Sequence, residues 1–171
     1  MRPRVVLLLC ALLVVAGGVF ASAGREAAGQ VTTAAGIKDV KVESLGHGPS
    51  AAAPGQTLIL SRLTFAPGGM IDMHTHPGDA VFYVESGQIT WVTGMGAPLF
   101  TSATAAAANA AGTPTPPETL TPGQEIVLEA GDSVFYTGHD SHEVRNDGTA
   151  DAVVLYSALR ASDEPGITFT E

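Results

Sequence analysis

The chain is 171 residues long and acidic, with 17 Asp and Glu residues against 8 Lys and Arg and a net charge of −9. Nucleic acids and anionic membranes attract proteins through clustered basic residues, so this composition argues against both as partners. The length suits one domain with its own core, and the single cysteine excludes an internal disulfide.

The first 23 residues have the pattern of a signal peptide. Arg2 and Arg4 form a short basic region, residues 5–16 are an unbroken apolar run, and the Ala-Ser-Ala sequence ending at Ala23 fits a cleavage site. The apolar run is short for a membrane span. We predict cleavage before Gly24 and a secreted or cell-envelope protein without a stable membrane anchor. The alternative is an uncleaved anchor.

The rest of the chain is predicted to be a flexible lead-in over residues 24–36, then one all-β domain over 37–171. Short β-branched and apolar runs alternate with Gly/Pro turns, without a helical period, which indicates a sandwich or a barrel. The last run is nearly continuous in apolar residues, which predicts burial on both faces. The sequence Gly46-His47-Gly48-Pro49 is expected to end the first strand. The predicted strands are 37–45, 57–65, 80–85, 88–93, 124–129, 133–136, 142–146 and 152–159.

A low-complexity stretch at about 97–119 interrupts this pattern. It is rich in Ala, Thr and Pro and has no hydrophobic period, so we expect a surface excursion. The alanines at 105–108 are expected to form at most a helical turn, because prolines follow. The excursion is either a lid over a pocket or a tolerated insertion, and we favour the insertion.

Two histidines, His74 and His76, are two residues apart in the segment that follows the second predicted strand. Side chains two residues apart on a strand point to the same face, and imidazole is the commonest ligand for transition metals in proteins. A strand that carries this pair into a barrel would supply half of a metal site. His47 lies between two glycines and is expected to be a solvated loop residue.

These residues resemble the two motifs of the cupin family. Gly68, His74, His76 and Gly87 follow the first motif, and Gly131, His142 and Asn146 follow the second. The resemblance covers about residues 57–159. It implies a double-stranded β-helix, or jelly-roll, barrel of the single-domain cupin-2 type that holds one divalent transition metal (Fe, Mn, Ni, Cu or Zn) inside.

The resemblance implies metal ligands at His74, His76, His142 and position 80, where the family has a glutamate and this chain has Ala80. Three-histidine sites without the glutamate exist among cupins such as thiol dioxygenases. Three ligands also leave coordination positions open. The alternative is a metal-free pocket lined by the histidines. We expect Asp72, which has the parity of the histidines, and Asp79 to be supporting or pocket residues.

The second motif departs from the family pattern, with Thr137 for the proline and His139 for the glycine. A turn with positive φ would use Gly138 and leave His139 at the rim of the pocket. Further candidates for the pocket wall are Phe82, Val84 and Trp91.

Two functions remain open. The first is a secreted metal-dependent enzyme, of the oxygenase or isomerase type, acting on a small molecule. The second is a non-catalytic cupin that binds a small ligand without a functional metal. The resemblance also implies pairing as a homodimer.

Overall fold

A computed structural model describes residues 30–170 of the chain, with side chains over 35–170. The predicted signal peptide lies outside the described residues. Within them, no helix has the length and hydrophobicity needed to cross a membrane. The elements are β1 (Gln30–Ala34), β2 (Ile37–Pro49), β3 (Gln56–Thr75), β4 (Gly78–Ser86), β5 (Gln88–Met95), β6 (Leu99–Thr101), α1 (Ala103–Ala110), β7 (Glu118–Thr119), β8 (Glu125–Glu129), β9 (Ser133–Tyr136), β10 (Ser141–Arg145), β11 (Ala152–Ala161) and β12 (Thr168–Phe169).

The twelve strands form one continuous, curled antiparallel sheet. Their order is β7-β6-β9-β4-β11-β3-β10-β5-β8, while β2 pairs with β1 and β3, and β12 pairs with β3. The long strand β3 therefore lies against β2, β10, β11 and β12, and it connects the two halves of the barrel. The predicted all-β class is confirmed. The expected lead-in contains strand β1 from Gln30 onward.

Two predicted strand ends are wrong. The strand β2 continues to Pro49 through the sequence expected to break it, and β3 continues through Gly68 and Gly69 to the histidine pair. The β2–β3 register shifts between Ser44 and Gly46 and between Lys38 and Val40. Because bulges of this kind take up extra residues without ending the pairing, glycines and prolines that usually mark turns remain inside long bent strands.

A β-bulge in β3 lies directly before the histidines. His142 of β10 pairs with His74 of β3. Val144, two residues after His142, pairs with Ile71, which is three residues before His74. One extra residue of β3 therefore lies between these pairs, which reverses the alternation of faces. Ile71 and His74 both point inward and are buried, whereas Asp72 is exposed. The prediction that the Asp72 side chain lies on the same face as the histidines is therefore wrong.

The core lies on the concave face of the sheet. Its largest buried side chains come from different strands and include Phe65, Phe82, Trp91 and Tyr136. Burial of apolar area of this kind is the main favourable term in folding. The strand β11 alternates instead of being buried on both faces, since Val154 and Ala158 are buried while the residues between them are half-buried. The prediction of burial on both faces is wrong.

The stretch at 97–119 is partly built into the barrel, since Pro98 is buried and Phe100 packs against the core. It contains β6, which pairs with β9, and the eight-residue helix α1, whose N-terminus is capped by the Ser102 hydroxyl. The Oδ1 atom of Asp132 accepts a further hydrogen bond from the backbone N–H of Ala103. No residue of α1 is buried. The helix is longer than the predicted single turn.

Candidate metal centre

The structure brings His74, His76 and His142 together at the inner surface of the barrel. His74 on β3 faces His142 on β10, and His76 follows directly after the end of β3. All three side chains are buried, and their ring centroids are 4.4 to 5.3 Å apart. One ring nitrogen of each lies within 4.8 Å of the others. The described residues thus contain a three-histidine cluster with the geometry of a metal-ligand set.

Two backbone carbonyl groups orient His74 and His76. The Nδ1 atom of His74 is 2.7 Å from the carbonyl oxygen of Asp72, and the Nδ1 atom of His76 is 3.0 Å from that of Gly166. A carbonyl oxygen only accepts, so both Nδ1 atoms donate, and in the neutral ring each Nε2 atom carries a lone pair. Backbone carbonyls commonly fix metal-binding histidines in this way.

The two lone pairs face each other, because the Nε2 atoms of His74 and His76 are 3.1 Å apart. Two acceptors at this distance repel unless a positive charge lies between them. Bonds of about 2.1 Å at a tetrahedral metal separate two nitrogen ligands by roughly 3.4 Å. The observed spacing therefore fits a metal ion held between the two rings.

The third histidine completes the fit. The Nδ1 atom of His142 is buried and has no hydrogen-bond partner among the described residues. The ring stacks on Trp91, with centroids 4.1 Å apart and an interplanar angle of 13°. The indole N–H of Trp91 in turn donates to the Thr93 hydroxyl over 3.2 Å. An orphaned nitrogen in a ring fixed this firmly is the kind of buried group that a bound ion or ligand satisfies.

The surroundings keep these histidines neutral. Burial lowers the pKa of His74, lowers the pKa of His142 well below its ordinary value, and, with the nearby His74, lowers the pKa of His76 to about 3. Only a neutral imidazole has a free lone pair for a metal. The same burial that disfavours a proton therefore leaves the cluster ready to bind a metal cation.

This burial predicts that the metal-free protein loses stability in mild acid. In the unfolded chain His76 titrates near its ordinary pKa of 6.5, but in the folded chain its pKa is about 3. Between these values the unfolded state binds a proton that the native state does not, so the free energy of unfolding falls with falling pH. We expect a loss of about 2 kcal/mol from His76 between pH 7 and pH 5, measured by urea unfolding after chelation.

The replacement His76→Gln should remove this part of the pH dependence, and His47→Ala, an exposed histidine, should preserve it. A metal-free wild-type protein equally stable at pH 7 and pH 5 would contradict the prediction.

Two tyrosines that the sequence analysis missed surround His76. The hydroxyl of Tyr136 is 3.3 Å from His76 Nε2, and that of Tyr156 is 3.0 Å from His76 Nδ1. Burial raises the pKa of Tyr136 well above its ordinary value and that of Tyr156 to about 12. Both hydroxyls therefore stay protonated at neutral pH and can donate hydrogen bonds to a ligand. The only sequence signal is that each occupies an inward position of a predicted strand.

The cluster opens into a chamber of about 420 Å³. The three histidines, Tyr136, Tyr156 and Arg160 line it together with a larger apolar surface, and none of the acidic residues that the structure describes does. No residue of 97–119 lines the chamber. The apolar lining residues are Ile37, Val42, Ile59, Leu63, Ile71, Phe82, Val144 and Ile167, with Pro165.

The remaining predicted site residues are spread more widely. Phe82 lines the chamber, Trp91 supports His142 from behind, and Val84 belongs to the core without reaching the chamber. Asp79 and His139 are exposed and line a second, more polar pocket of about 460 Å³ beyond His76.

Asp72 contributes its backbone carbonyl, not its carboxylate, and Ala80 is buried opposite Tyr136 of β9. Gly138 does not have the positive φ that we expected. A Cβ atom there would instead lie 2.9 Å from the backbone of both His76 and Gly78, so a close approach of the two chain segments requires the glycine.

Comparisons with known proteins show the fold. No protein-family model matches the chain, and no curated protein matches it. A solved structure from work on the DMSP lyases RdDddP and RnDddQII is 16% identical, with a TM-score of 0.54 over 83% of this chain and 60% of that one. The structural neighbours are cupin-fold proteins. This likeness confirms the predicted jelly-roll cupin barrel.

Two further solved structures are more distant. An oxalate decarboxylase from Lactobacillus farciminis is 16% identical, with a TM-score of 0.48 over 77% of this chain and 31% of that one. A cupin 2 conserved barrel domain protein from Leptotrichia buccalis is 16% identical, with a TM-score of 0.45 over 71% of this chain and 41% of that one. The chain thus spans less than two thirds of the length of the structures it matches.

Proposed function

We propose that this protein binds one divalent transition metal through His74, His76 and His142 and receives a small molecule in the adjoining chamber. The observation that supports this most directly is the 3.1 Å separation of two imidazole Nε2 atoms that backbone carbonyls leave with facing lone pairs. All-imidazole sites suit Fe, Mn, Ni, Cu or Zn. The metal would supply a Lewis acid or a redox centre with open coordination positions.

The residues that line the chamber determine which small molecule the protein can bind. The chamber lining is mostly apolar, and the hydroxyls of Tyr136 and Tyr156 lie next to His76, where they can act as hydrogen-bond donors. A small molecule with an apolar body and a polar end next to the histidines fits this division. This arrangement supports a metal-dependent enzyme of the oxygenase or isomerase type.

The second candidate is a non-catalytic protein that binds a small ligand. One observation favours it: no aspartate or glutamate lines the chamber within the described part of the chain, and the high pKa values of the two tyrosines make them poor general bases at neutral pH. Turnover of small molecules by the metal-loaded protein would show that the protein is an enzyme and not only a binding protein.

Elemental analysis tests the metal site. Protein expressed without an affinity tag in medium with Fe, Mn, Ni, Cu and Zn should retain about one equivalent of a single metal per chain after gel filtration. A total below about a tenth of an equivalent, with folding verified by circular dichroism, would refute the three-histidine site.

We also propose secretion through the predicted signal peptide, on the sequence pattern alone, and pairing as a homodimer. The outer face of the sheet supports the homodimer. Leu58 and Leu60 on β3, Val81 and Tyr83 on β4 and Phe135 on β9 are all between 39 and 54% exposed. The strand β4 pairs with β9, and β11 lies between β4 and β3. An apolar face of this kind is typical of a surface that another protein covers.

A further inference from the structure

Among residues 30–170, Arg160 is the one permanently charged side chain that lines the chamber. It lies four residues after Tyr156 on β11, so both side chains point to the same face of the strand. Its backbone pairs with Gly78, two residues after His76. The strand pairing therefore places the guanidinium at the same end of the chamber as the metal centre.

The guanidinium is only partly satisfied. One terminal nitrogen donates to the carbonyl oxygen of Glu164 over 2.8 Å, whereas Nε is buried and has no hydrogen-bond partner among the described residues. Every salt bridge found in the described part of the chain involves Arg62 or Arg145 instead. Arg160 as a whole is half-buried, but a buried donor without a partner is costly, so its Nε atom is a group that a bound ligand would satisfy.

The chemistry of the Arg160 guanidinium indicates which kind of ligand would pair with it. A guanidinium presents its N–H groups as a planar fork that matches the two oxygens of a carboxylate. A doubly charged phosphate fits less well, because a single cation would face two negative charges inside a largely apolar wall. In the part of the chain that the structure describes, no acidic side chain lines the chamber to neutralise Arg160 internally.

We infer that Arg160 is an anion-binding residue and that the ligand of this chamber is a small apolar monocarboxylate. This inference rests on the proposed function for the position of the ligand next to the histidines. The carboxylate binds Arg160, and the apolar body lies against the wall formed by Ile59, Leu63 and Ile71. In a protein with a net charge of −9, this local cation offsets part of the overall repulsion that an anion meets.

Calorimetric titration with hexanoate and its neutral analogue hexanamide tests the inference. Both probes are titrated into the full-length protein as purified and after removal of metal by chelation. Hexanoate should bind roughly tenfold tighter than hexanamide in both forms, the effect expected of a charge-assisted hydrogen bond. Affinity should rise roughly fourfold for each added methylene from butanoate to hexanoate. Equal affinity for hexanoate and hexanamide would overturn the inference.

Three variants test whether Arg160 causes the preference for hexanoate over hexanamide. Arg160→Gln should weaken the affinity for hexanoate roughly tenfold or more and leave the affinity for hexanamide within twofold of the wild-type value. Arg160→Lys, which keeps the charge but not the fork, should retain part of the preference. Arg62→Gln removes an exposed arginine that pairs with Glu43 and Glu85, and it should change the affinity for neither probe. A hexanoate preference that persists in Arg160→Gln would overturn the inference.

The design separates this inference from the metal site. Arg160 is not a proposed ligand of the metal, so Arg160→Gln should retain the wild-type metal content. If the purified protein contains no metal, the proposed function fails, yet hexanoate binding still tests Arg160. If the preference exists only in the metal-loaded protein and survives Arg160→Gln, the carboxylate is bound by the metal and the inference is wrong.

Discussion

Replacing either His74 or His142 with alanine should reduce the metal content from about one ion per chain to less than about a tenth. In the proposed site each histidine supplies one of three ligands, so its removal leaves two, too few for a stable site of this kind. His142→Ala leaves an apolar space beside Trp91. His74→Ala also removes one of the two facing Nε2 atoms. Inductively coupled plasma mass spectrometry of gel-filtered protein gives the metal-to-chain ratio directly.

Two matched controls use the histidines outside the cluster. His47→Ala on β2 and His139→Ala at the second pocket both change exposed side chains, and both should retain the wild-type metal content. Circular dichroism must show that every variant is folded. If His142→Ala kept a full equivalent of metal, the ion would be bound elsewhere. If His139→Ala lost it, the site would include the second pocket.

The sequence predicted the cluster because its ligands follow short-range rules. His74 and His76 share a face through the alternation of side chains, and the second motif identified His142. Most strands were also predictable, since β-branched and apolar runs between Gly/Pro turns depend on local composition. Periodicity therefore predicted the all-β class and the shared face of His74 and His76, whereas the resemblance to the cupin motifs implied the jelly-roll barrel and His142.

Other features depend on tertiary pairing that no local pattern reports. The bulge before His74 is visible only in its register with β10, and it moves Asp72 out of the cluster. Gly166, whose carbonyl orients His76, is 90 residues away along the chain. Arg160 is a charged residue near the end of an apolar strand, and only the pairing of β11 with β4 places it at the chamber. Apart from His142, which the family motif marked, groups that act across strands were therefore the ones missed.

Replacing Trp91 with alanine should lower the free energy of unfolding by about 3–5 kcal/mol, the usual cost of removing a large buried aromatic side chain. Trp91 is fully buried on β5, stacks on His142 and meets Phe82 edge-to-face with ring centroids 5.7 Å apart. Its loss therefore leaves a cavity at the junction of the core and the metal centre. Urea unfolding monitored by circular dichroism measures the effect on metal-free protein.

Two further variants make this prediction specific. Trp91→Phe keeps most of the packing but loses the N–H that donates to Thr93, so it should cost less than the alanine variant and remain folded. Val127→Ala changes a side chain that is 57% exposed on the neighbouring β8, and it should stay within about 0.5 kcal/mol of the wild type.

Because the indole also holds the His142 ring in place, Trp91→Phe should bind the metal more weakly than Val127→Ala does. Equal stability and equal metal affinity in these two variants would show that Trp91 neither anchors the core nor positions His142.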